Sequence, residues 1–134
     1  MVEVAIVLVL LLALLFGIVD GGRLLWCYTM LSNAATEGVR YAAVRGTPSG
    51  HPATVPTIQA VVQSMAGLAP TPNVNVTCRD ASGASVGCPG APGQVVRVQA
   101  EYPFSFLLLT PVSGWSGPGG TLTLRSGSEM TIAR

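Results

Sequence analysis

The sequence contains no lysine, and only 10% of its 134 residues are charged. Its seven basic residues are scattered arginines, and the formal net charge is +1. No basic patch can be drawn from them, so the electrostatic footprint of a nucleic-acid-binding protein is missing. Histidine is equally scarce. His51 is the single one, held between a glycine and a proline with no carboxylate beside it, and it reads as a solvated loop residue. One histidine and three cysteines do not suffice for a zinc site. The six acidic residues are too dispersed to suggest a paired acid and base. "SGWSG" lacks the residue order of a nucleophile elbow, "GPGG" leads into a strand, and no haem-attachment C-x-x-C-H occurs. The expectation is a chain with no catalytic residue, no metal and no cofactor.

Proline is absent too, but only from the first 44 residues, which also hold just four glycines. All 10 prolines and most of the 16 glycines come later. The chain is therefore bipartite: an apolar rod over residues 1–46, then a turn-rich small domain over 47–134.

Within the rod, Val4 to Val19 carries no charge. As a helix it spans roughly 24 Å, and Leu24, Leu25 and Trp26 beyond the Asp20/Arg23 pair lengthen it enough to cross a bilayer. Asp20 and Arg23 are three apart, so on a helix they can face each other. Trp26 and Tyr28 follow where interfacial aromatics are expected. A cleaved signal peptide fits less well, because no basic leader precedes the run and no small-residue cleavage site follows it. Glu3 opens this run. An unpaired carboxylate in an apolar medium costs several kcal/mol or shifts its pKa. Either Glu3 rests among headgroups, or it is paired in a helix bundle by the amine of an adjacent chain.

From Leu24 the pattern becomes one-sided. Leu24, Tyr28, Leu31, Ala35, Val39 and Ala42 recur at helical spacing as a packing face, with Thr29, Asn33, Thr36, Glu37 and Arg40 opposite. No breaker intervenes before "RGTPSGHP", so one helix of about forty residues is the economical reading. Its first half is apolar all round and its second half docks on a soluble domain.

In the second part, Thr54 can cap a short helix with Pro56 in its first turn, an apolar stripe of Ile58, Val61, Val62 and Met65, and Gly67 at its end. "NVNVTC" alternates as a strand. In "QVVRVQAEYPF", Val96, Val98, Ala100, Tyr102 and Phe104 share a face opposite Arg97, Gln99 and Glu101. "TLTLRSGSEMTI" repeats the alternation through Leu122, Leu124, Met130 and Ile132, with a bend or bulge expected at Gly127. The apolar loop between these two strands, with Trp115, suggests contact rather than chemistry. Cys78 and Cys88 flank a short Gly/Ser loop and suit a disulfide in an oxidising compartment. Cys27 is left unpaired or available between molecules. The expected fold is α+β: a long N-terminal helix on a small antiparallel sheet of three or four strands, with a second short helix.

Several strings carry a family resemblance: Glu3 with Ala5, the leucine run, Gly17-Ile18-Val19-Asp20, Gly22-Arg23, Trp26, Asn33-Ala34-Ala35, Glu37-Gly38 and Arg40-Tyr41-Ala42. Together they resemble the N-terminal signature of TadE-like proteins, pilin-like subunits of tight-adherence (Flp-type, type IV) pilus systems. The resemblance implies a pilin-like architecture and a bacterial prepilin with a short leader, cut by a prepilin peptidase. It implies residence in the inner membrane before assembly and an extracellular filament afterwards. The partners it implies are further copies or other pilin subunits. Glu3 is similar to the pilin glutamate that pairs with a neighbour's amine, although pilins place that residue fifth in the mature chain. Val9 stands where many relatives have a helix-kinking proline, which implies a straighter rod. Glu3, Asp20 and Arg23 are the expected inter-subunit residues. The function implied is a structural filament subunit, the alternative being a membrane-anchored pseudopilin acting in assembly or secretion.

Overall fold

The structure, a computed structural model, describes residues 2–88, 90–106 and 121–133. It is α+β. Helix α1 spans Val2–Ala43 without interruption. Helix α2 spans Val55–Ala66, and four strands follow: β1 Asn73–Arg79, β2 Ser85–Val86, β3 Val95–Ser105 and β4 Thr121–Thr131. All pairings are antiparallel, in the order β2-β1-β3-β4. Trp115 and the loop expected to pack around it lie outside the described residues.

The helices cover one face of the sheet, α1 against β3 and β4, and α2 against β1. Val74, Val76 and Cys78 of β1 meet Val96, Val98, Ala100, Tyr102 and Phe104 of β3 in that core. The other face is wet, and there Arg125 Nε lies 3.1 Å from Glu101 Oε1. α2 starts at Thr54 in extended conformation, has Pro56 in its first turn and ends at Gly67 with φ +56°. Thr54 makes no side-chain cap bond to the backbone. Thr57 Oγ1 instead donates to the Thr54 carbonyl at 2.7 Å. Gln59 reaches the Val74 carbonyl at 2.8 Å and fixes α2 to β1.

Three expectations are corrected. Tyr28 is 45% exposed, and its place in the docked face is taken by Cys27. Met65 is likewise exposed, because Ile58, Val62 and Ala66 form the buried row of α2 and Met65 sits about 100° away from Ala66. Gly127 makes no bulge. It stands opposite Gln99 in an unbroken ladder.

The docked half of α1 is built from small residues around a few large ones. Leu31 and Val39 are fully buried, and Ala34, Ala35, Gly38, Ala42 and Ala43 let the helix come close. Burying a side chain such as Leu31 contributes about 1.5–3 kcal/mol. Gly38 marks the closest approach: a Cβ built there would collide with Val62 Cγ2.

Candidate functional site

The site is the half of α1 that the domain leaves bare. Residues 2–19 are exposed along the helix, apart from a partly covered Gly17. An 18-residue window of α1 has a mean hydropathy of 3.1, and none of it is buried within the chain. Helical continuity explains the arrangement. With no proline between the two halves, α1 runs from the docked part into the bare part as one continuous helix. By length and composition this helix can cross a membrane. The same bare surface can equally bury itself against other helices.

Glu3 lies exposed in the first turn, where a carboxylate is favoured by the helix dipole. Among the described residues no basic group pairs with it. Seventeen positions further on, Asp20 is entirely buried. Arg23 Nη1 donates to Asp20 Oδ1 at 3.4 Å, and the guanidinium stands 5.5 Å from the centre of the Phe104 ring. Phe104 in turn meets Phe106 edge-on at 5.3 Å. The structure therefore separates the expected inter-subunit residues. Glu3 is at the free end, roughly 25 Å along the helix, whereas Asp20 and Arg23 form the elbow where the helix leaves the domain. Asp20 is covered by its own chain, whereas Arg23 stays partly exposed. Sequence reading missed Phe104 as part of this elbow, because the two residues lie far apart in the chain and only the fold joins them.

Cys78 and Cys88 are joined, with Sγ–Sγ at 1.98 Å. Cys27 is a free thiol, but it is buried, which removes it from the surface available for cross-linking. His51 is exposed. Among the described residues no group of histidines, cysteines and carboxylates is arranged to hold a metal.

An α+β domain carried on a helix whose far half it does not cover defines a class of proteins that this helix can anchor to a membrane, by its length and composition. Comparison by family places the helix more narrowly: residues 1–40 match the profile of the family described as TadE-like protein. The match covers nearly all of α1, both the bare half and the docked half, and over that length the chain resembles TadE-like proteins. No curated protein and no solved structure matches the chain.

Proposed function

We propose that this protein is a structural subunit of a tight-adherence-class, type IV-like pilus. Its bare helix packs with other subunits in the filament core, and its sheet domain forms the outer shell. The observation that carries this reading is the uncovered apolar half of α1, with Glu3 at its tip, inside the stretch that matches TadE-like proteins. All-round apolarity suits lipid first and neighbouring helices afterwards, so one surface serves both states. Insertion in the bacterial inner membrane precedes assembly, prepilin peptidase processes the precursor, and the chain acts without catalysis or cofactor.

The test is to shear appendages from cells and measure the intact mass of the chain in that fraction. Recovery there, two hydrogens lighter than the reduced form, supports an extracellular subunit with its disulfide closed. Absence from the sheared fraction, with the chain retained in membranes, supports the anchored pseudopilin instead.

A further inference from the structure

The outer strand of the sheet carries a pattern that the fold itself does not use. Ile132 donates its N–H to the Gln94 carbonyl at 2.8 Å, and its own carbonyl accepts from the Gly93 N–H at 2.9 Å. Its backbone polar groups therefore point toward β3. Strand alternation turns those of Thr131, Glu129, Gly127, Arg125 and Thr123 outward along the edge. Among the described residues no strand lies beyond β4. Past the end of β4, the Ala133 N–H donates to the Ala43 carbonyl at 3.0 Å. Exposed edges are commonly guarded by proline, charged side chains or a bulge. β4 has neither proline nor bulge, and its two charges, Arg125 and Glu129, are of opposite sign.

Read outward from Gly127, this edge is complementary to itself. When a second copy is laid antiparallel with both Gly127 residues on a two-fold axis, Arg125 faces Glu129 and Ser126 faces Ser128. Leu124 faces Met130, and Thr123 faces Thr131. Every pair is complementary in kind, and the facing charges are opposite in sign. Residues that oppose one another across strands share a face, so Met130, 40% exposed on the helix-bearing side, gains Leu124 of the second copy as an apolar neighbour. On the wet face Arg125 already pairs with Glu101, and Glu129 stands opposite Arg97. Across the joined sheet the order becomes Glu101, Arg125, Glu129, Arg97, alternating in sign from one copy into the other, with the same row repeated in reverse. The backbone agrees with the side chains, since the residues that meet at Gly127 and at the Arg125–Glu129 pairs are those whose N–H and C=O groups point outward.

We propose that β4 is a homotypic docking edge through which two copies of this chain form one continuous antiparallel sheet. A two-fold axis normal to the sheet reverses every direction lying in its plane. Because α1 packs along the sheet's inner face, the bare helices of the two copies point opposite ways. Pairing therefore joins copies anchored in different membranes or filaments, not neighbours within one. A single strand pair is a small contact, and it becomes effective where many copies face many others. The inference holds for a filament subunit and for an anchored pseudopilin alike, since both display the domain.

The test uses the full-length chain reconstituted in phosphatidylethanolamine–phosphatidylglycerol vesicles, with clustering followed by light scattering. Wild-type vesicles cluster. Vesicles carrying Arg125→Glu, or carrying Glu129→Arg, each set like charges opposite one another at two places and lose clustering by about tenfold or more. Mixing the two variant populations restores opposite charges at both places, and clustering returns. That rescue requires both variants to be folded, so misfolding cannot imitate it. Absence of clustering by the wild type, undiminished clustering by either variant, or no recovery on mixing overturns the proposal.

Discussion

Two carboxylates on one helix have opposite fates, and the difference lies in what surrounds them. Asp20 is buried and held by Arg23, which itself rests over Phe104. Glu3 is exposed at the tip of an apolar surface. In the helix bundle proposed above, Glu3 would have to be paired or neutralised. Glu3→Ala is therefore expected to abolish recovery in sheared filaments while leaving the membrane-bound amount unchanged, as measured by immunoblotting both fractions. Unchanged assembly would rule out pairing by Glu3. Asp80 is a third carboxylate, in the turn between β1 and β2. Its Oδ1 accepts from Ser82 Oγ at 2.6 Å, from Ser82 N–H at 2.9 Å and from Ala84 N–H at 3.0 Å. The Ser82 hydroxyl, helped by the backbone N–H groups, holds the carboxyl below its usual value. A depressed folded-state value means that this stabilisation is complete above the ordinary aspartate pKa and is lost as pH falls through the folded one. NMR titration should find Asp80 with a midpoint below that of an unstructured aspartate, and the turn should loosen only in that acidic window.

Among the elements, α1 was the most legible in sequence, because forty-odd residues without proline leave few alternatives to a helix. The alternating strands around Val96–Phe104 were equally plain. Tyr28 was not, since steps of three and four residues both fit a helical stripe and only the close approach of α1 to the domain selects small Cys27. Gly127 suggested a bulge because glycine weakens strands, but ladder pairing with Gln99 overrode that tendency. The elbow of Asp20, Arg23 and Phe104 depends on contacts distant in sequence and was only half visible. The glycines of α1 separate into two kinds for the same reason. Gly38 is required by Val62, and Gly38→Ala should lower stability by about 1–3 kcal/mol in chemical denaturation. At Gly17, Gly21 and Gly22 a Cβ meets nothing within 4 Å. Alanine there should strengthen the helix by up to about 1 kcal/mol each. If these positions nonetheless receive neighbouring helices, as small residues do in membranes, the same alanines should reduce filament yield. Gain in stability together with loss of yield would place the constraint between subunits.

At the scale of the whole molecule, one helix serves two masters, and the division falls at Asp20. Residues before it contribute almost nothing to the core, whereas Cys27, Leu31, Ala34, Ala35, Val39 and Ala42 after it are part of the core itself. Removing residues 1–19 takes away apolar surface that the domain never buries, and leaves intact the Asp20–Arg23 pair, the docked helix and the disulfide. The shortened chain should thus be soluble without detergent and should unfold cooperatively with a melting temperature close to that of the full chain in detergent, as followed by circular dichroism. Cutting further, to Leu31, would strip away Cys27 and the elbow, and should cost several kcal/mol through the exposed core. A shortened chain beginning at Asp20 that fails to fold would mean that the bare half supports the domain after all. Its folding would instead make assembly and domain stability separable properties of a single helix, with the first residing in residues 2–19 and the second in the residues that follow.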